Sequence, residues 1–140
     1  MSNVFLQMNQ QEFHKRYEEE AEHSYNALME LDEDALLDII HDPGGDKYKI
    51  WKGNDNYQIW QVFGKKGTSK SIKPLFHIVS NLKTEYLVRY HACAALFKIA
   101  GINDEIFMGK VQFGRDENRQ LIDQKEAIAK LAEIIESLGG

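Results

Sequence analysis

The chain has 140 residues, 43% of them hydrophobic and 28% charged, with a net charge of −5. That length fits one domain, 1–140, with a core of its own, and the composition is that of a soluble globular protein. No apolar run approaches the ~20 residues that span a bilayer, and the single cysteine, Cys93, excludes an intrachain disulfide.

The first residues carry neither a basic segment nor a long apolar one, so no secretory leader is predicted and a cytoplasmic location is expected. Charge is unevenly spread. Residues 1–46 hold 2 basic and 12 acidic side chains, a net of −10. Residues 47–83 hold 8 lysines and Asp55, a net of +7, and residues 84–140 hold a net of −2. Such asymmetry points either to a charged interaction surface or to pairing between the two segments.

A first helix is predicted over about 10–31. Phe13, Tyr17, Ala21, Tyr25 or Ser24, and Leu28 form its apolar stripe, and Glu18, Glu19, Glu20 and Glu22 face solvent. A shorter apolar segment follows at 34–40. Asp42-Pro43-Gly44-Gly45 is a turn signal. Residues 47–52 then partly alternate polar with aromatic or aliphatic, which suggests an extended segment inside a long loop, 42–56. A helix around 59–67 is closed by Gly67, which sits where a C′ residue in the left-handed conformation belongs. If Ser71 caps the next helix, Pro74 falls in its first turn, where no intrahelical N–H bond is lost. Thr84 is the expected cap of a helix through 87–100, closed by Gly101 in the left-handed conformation. Asn103 or Asp104 caps the segment 104–111. An irregular connection around Gly114 leads to a last helix, about 117–138, with Leu121, Ile128, Leu131, Ile135 and Leu138 on one face.

Four of these segments resemble one another. The stretches 24–32, 59–67, 92–100 and 127–135 recur every 33 to 35 residues. Each has a large apolar residue at its fifth position: Leu28, Phe63, Leu96 and Leu131. Each of the first three is followed by a second, shorter apolar segment. A repeated helix–turn–helix unit of this length predicts an all-α fold, a short α–α superhelix of about three to four helical pairs. A right-handed arc with the second helices on its concave face is expected, capped by the first and last helices.

Phe63-Gly64-Lys65-Lys66-Gly67, Ser71-Ile72-Lys73-Pro74-Leu75, Val88-Arg89-Tyr90-His91-Ala92 and Ala94-Ala95-Leu96-Phe97-Lys98-Ile99 carry a family pattern. Over residues 57–101 the chain resembles the short HEAT-like repeat of the phycobilin-lyase type. Phe97 stands where that pattern prefers glycine. The resemblance implies an α-solenoid. Most proteins built this way are binding scaffolds, and a lyase subunit is the enzymatic alternative it allows.

No catalytic constellation stands out. Glu20-x-x-His23 has the spacing of a di-metal carboxylate site but lacks its second copy, and His14, Glu18 and Glu22 read as a solvated helix face. No zinc spacing is present, and neither a metal nor a cofactor is expected. Cys93, between alanines on the central helix, reads as a buried structural thiol. An enzyme would have to gather His77, His91 or Cys93 with a carboxylate. Gly64-Lys65-Lys66-Gly67-Thr68-Ser69-Lys70 lacks the spacing and preceding strand of a phosphate loop.

The basic stretch is the main candidate. Lys47, Lys49, Lys52, Lys65, Lys66, Lys70 and Lys73 stand near Tyr48, Trp51, Tyr57 and Trp60. Trp60, inside a repeat helix, reads as core; Trp51, in the long loop, reads as an interface anchor. The expected function is a non-catalytic protein-interaction module, an adaptor or inhibitor. Its candidate binding residues are Tyr48, Trp51, Lys52, Lys65, Lys66, Lys70, Lys73 and His77. A basic partner would instead meet Glu18, Glu19, Glu22 and Asp38. The alternative is nucleic-acid or phospholigand binding through the lysine edge.

Overall fold

The structure, a computed structural model, describes residue 15 and residues 23–52 and 57–138. His14, Phe13, Tyr17, Ala21 and the acidic residues 18–20 and 22 lie outside these, as does the side chain of Lys52. Residues 23–29 are helical and are called α1. Then come α2 (Glu33–Ile40), α3 (Asp46–Lys52), α4 (Gln58–Lys66), a 3-10 turn (Ser69–Ser71), α5 (Ile72–Ser80), α6 (Tyr86–Ala100), α7 (Glu105–Phe113) and α8 (Gln124–Ser137). The fold is all-α, with helices packed in an α–α superhelical arrangement. The pairs α1/α2, α4/α5 and α6/α7 follow the repeat, and α8 begins a fourth unit. No helix among the described residues is long and apolar enough to cross a membrane.

The central helix α6 packs on α4, α5 and α7. Val88, Ala92, Cys93, Ala95, Leu96 and Phe97 are its buried apolar residues, and Arg89 is buried beside them. Alanines there let neighbouring helices approach closely, and the larger Trp60 and Phe63 of α4 and Leu75 of α5 are buried in the helices that pack on it. Helix α8 packs on α7 and reaches back to α5, so it closes the end of the stack.

The segment 47–52 is helical, not extended. Tyr48 and Trp51, three apart, turn to the same side of α3. Tyr48 is 2% exposed and Trp51 half-buried, while Ile50 between them faces solvent. Trp60 Nε1 donates a 3.0 Å hydrogen bond to Tyr48 Oη inside the core. Each buried aromatic satisfies the other's polar atom, which removes a desolvation cost of about 1–3 kcal/mol.

Two other boundaries shift. α6 begins at Tyr86 with Glu85 at the cap position, because Thr84 is spent in a turn with its N–H on Asn81 O. α8 begins at Gln124. Asp116 Oδ1 accepts from the N–H groups of Asn118 and Gln120, which winds 116–120 into a loop. Leu121 lies in that loop, exposed, and not on the apolar face of α8. Asp104 does cap α7, accepting from Phe107 N at 2.9 Å. Gly101 has the expected positive φ of 72°. Gly67 does not: it is extended, at φ −64°. Glycine is required there for space, since a Cβ would stand 2.4 Å from Ile99 Cδ1 and 2.6 Å from Phe63 O.

Helix ends in this stack are closed by side chains from neighbouring elements. Lys66 Nζ donates to the carbonyls of Met29, at 2.6 Å, and Leu31, just past α1. Glu33 accepts from Thr68 N and Thr68 Oγ1, both at 2.7 Å, and from Ser71 Oγ, where the chain enters α5. Arg89 Nε donates to Val79 O at 2.9 Å in the last turn of α5. Gln124 Nε2 donates to Val111 O and Gln112 O at the end of α7. Orphan N–H and C=O groups at helix termini are thereby satisfied across the repeat boundaries.

Candidate interaction surface

The structure does not gather the sequence-based candidates into one site. Tyr48 is corrected outright: it is a core residue with no surface to offer. Trp51 packs half-buried against the core. Lys66 is bound to backbone carbonyls, Lys70 forms an ion pair with Asp34, and Lys47 forms one with Asp38. Lys65 Nζ stands 5.1 Å above the ring of Tyr25. Lys73 and His77 are exposed on α5. The lysine-rich and acid-rich segments thus meet each other here: Asp34 and Asp38 neutralise part of the lysine edge.

His77 lines a cleft of about 450 Å³ between α2 and α5 with His41, Leu37, Ile40, Pro74 and Ile78. His91 is elsewhere, stacked on Tyr57 at 4.5 Å between centroids. Burial pushes the His91 imidazole below its ordinary value. Cys93 is buried in α6. Burial pushes its thiol up to about 12, against opposing effects of the Arg89 charge and a Gln112 hydrogen bond. A thiol held neutral in this way is not a nucleophile. Among the described residues no three His, Cys, Asp or Glu side chains are placed to share a metal ion.

The most distinctive surface feature lies on the opposite part of the repeat. Tyr86 and Tyr90, one turn apart on α6, and Phe113, the last residue of α7, form a ring triangle. The centroids are 6.4 Å (Tyr86–Tyr90), 6.0 Å (Tyr86–Phe113) and 5.8 Å (Tyr90–Phe113) apart. Tyr90 also meets His91 edge-on at 5.0 Å. Mutual contact leaves the triad far from buried: Tyr86 is 50% exposed and Phe113 41%. Leu87 beside them is exposed as well.

Phe113 continues this patch onto α7. Ile106, Gly109 and Phe113 recur at helical spacing on one face, over a depression of about 380 Å³ that reaches Arg115 and Arg119. Ile106 is 54% exposed, and a Cβ added at Gly109 would meet nothing within 4 Å. Ile106, Asp116 and Glu117 also line the adjoining groove between α7 and α8, about 700 Å³ in volume. One continuous surface therefore runs from the aromatic triad, over the Gly109 notch, into the α7–α8 groove. Exposed Tyr, Phe and Arg around a concave apolar strip is the composition of binding interfaces.

Sequence reasoning missed this face because α6 and α7 are apolar on more than one side. Ile106-Phe107 puts two large apolar residues side by side on α7, and they cannot both turn inward. Phe107 is buried and Ile106 is not. Tyr86-Leu87-Val88 carries the same signal on α6.

Comparison of the chain with family models, with curated proteins and with solved structures finds no match to any of them.

Proposed function

We propose that this protein is a non-catalytic interaction module whose contact face is built from α6 and α7. The observation that carries this reading is the exposed triad Tyr86–Tyr90–Phe113, a preformed aromatic patch set on two packed helices. Such a patch binds with little loss of side-chain freedom, because each ring is already steadied by the other two. The resemblance of residues 57–101 to HEAT-like repeats supports the same role, since scaffolds of that kind work by presenting surfaces.

The reading moves the contact face away from the lysine edge. The 140-residue chain used as bait, beside Tyr86→Ser/Phe113→Ser and Lys65→Glu/Lys70→Glu variants, tests it. A partner retained by wild type and the lysine variant but lost from the aromatic variant supports it. Recovery of nucleic acid that is lost in the lysine variant, with the aromatic variant unaffected, refutes it in favour of phosphate-backbone binding.

A further inference from the structure

We infer that the segment this protein recognises is a basic amphipathic helix, laid along the α7–α8 groove and running past Ile106, so that one large apolar side chain reaches Gly109 in the adjoining depression. This rests on the contact face proposed above and adds the chemistry of what it takes.

The charge of the groove comes first. Asp104, Asp116, Glu117, Asp123, Glu126 and Glu133 line it, against Lys110 and Lys130. Lys130 Nζ is drawn over the Phe107 ring, 5.7 Å from its centroid. Asp104, Asp116 and Asp123 each accept backbone N–H bonds. Glu117, Glu126 and Glu133 are exposed on the rim. A concave site with this excess of carboxylates attracts cations and repels anionic partners, nucleic acid included.

The walls define the shape. They are two helices, α7 and α8, packed side by side. A third helix fits such a furrow, ridge into groove. Strand addition is not open to a partner on this face: the described residues contain no sheet, only the isolated bridge Arg115–Leu121. The floor offers Ile106, Phe107 and Ile122 to an apolar stripe.

Gly109 is the third point. Glycine inside a helix costs about 0.5–1 kcal/mol relative to alanine. No close approach within the protein requires it, because the space above it is empty. Its effect is a notch between Ile106 and Phe113 in the depression beside the groove, where a partner side chain can reach the α7 backbone. Arg115 and Arg119 line that depression too, against Glu105, Asp116 and Glu117, so the cationic residues of the partner fall on the groove and an apolar one on the notch.

The test is selection from a displayed library of helix-favouring peptides of 14 residues, the length of α8. Each position carries Lys, Glu, Ala, Leu or Phe. The full chain is the target, and Gly109→Gln is the counter-target. Enriched peptides with a clear excess of Lys over Glu and apolar residues at i, i+3/i+4 and i+7 are expected. Their affinity should fall about tenfold or more in Gly109→Gln and in Glu126→Lys/Glu133→Lys, and should weaken with salt. Thermal melts confirm that both variants remain folded. Neutral or acidic winners, winners indifferent to both variants, or no enrichment would each overturn the inference. The earlier reading fails separately: if the peptides fail while Tyr86→Ser/Phe113→Ser still abolishes partner capture, the contact face stands and only the basic helix is wrong.

Discussion

Glu33 is the strongest link between the first helical pair and the second, and its removal is the most informative perturbation. Its carboxylate accepts from Thr68 N and Thr68 Oγ1 at 2.7 Å and from Ser71 Oγ. Burial raises its pKa, but the hydrogen bonds from Ser71 and Thr68, helped by the Lys70 charge, outweigh that and leave the net shift downward. Ser71 is fully buried, so Glu33→Ala strands its hydroxyl without an acceptor. Hydrogen bonds to a charged group are worth about 1.5–3 kcal/mol and a stranded buried donor costs about 1–3 kcal/mol. These overlap, and a loss of about 2–4 kcal/mol is the sum we expect. Glu33→Gln keeps one acceptor oxygen and should lose roughly half of that. The pH dependence has a definite sign. A carboxyl whose folded pKa is depressed stabilises the fold above its unfolded value near 4.5, and that stability disappears as pH falls through the folded value. The gap between wild type and Glu33→Gln, measured by urea denaturation, should therefore be constant from pH 6 to pH 8 and narrow as pH falls below about 4.5. Amide exchange should quicken first in 23–40. A Glu33→Ala variant within about 0.5 kcal/mol of wild type, or a gap that widens in acid, refutes the assigned role.

Gly109→Ala should raise stability by about 0.5–1 kcal/mol, read as an increase in Tm of about 2–5 °C, because the new methyl group meets open space. Cys93 should resist thiol reagents at pH 8 in the folded chain and react at the free-thiol rate in urea, since its thiol is buried with its pKa pushed up to about 12. Arg89→Met should cost about 1–3 kcal/mol in a denaturation curve, through the loss of the Val79 carbonyl's donor. Lowering pH from 7 through about 6.5 should destabilise wild type more than a His91→Phe variant, because the unfolded chain binds the proton that the partly buried, stacked imidazole resists.

The helical pairs were legible in the chain because they depend on local period. Leu28, Phe63, Leu96 and Leu131 recur at the repeat length, and all four are buried. Asp104 as a cap and Gly101 as a left-handed stop are decided by a few neighbouring residues, and both stand where local rules put them. The segment 47–52 misled because Tyr48 and Trp51 satisfy a strand alternation only in part and a helical turn equally well over so short a run. What settles it is Trp60, whose indole needs the Tyr48 hydroxyl. The binding candidates failed for a related reason. Composition shows lysines beside aromatics but not whether Asp34, Asp38 or the Met29 carbonyl already holds them.

The sequence by itself therefore determined the all-α class and the large apolar residues at the centre of each helix, since those follow from 3.6-residue periodicity and from caps. Only the tertiary structure decided which surface is left over. Helix ends are closed by residues from elsewhere in the chain: Lys66 for α1, Glu33 and Arg89 for α5, Gln124 for α7. These partners lie 10 to 38 residues away in the chain, and no local period encodes them. Those backbone groups occupy Lys66, and Asp34 and Asp38 hold Lys70 and Lys47. The packing leaves Tyr86, Tyr90, Phe113 and the Gly109 notch without an internal use, and the fold presents that face to solvent.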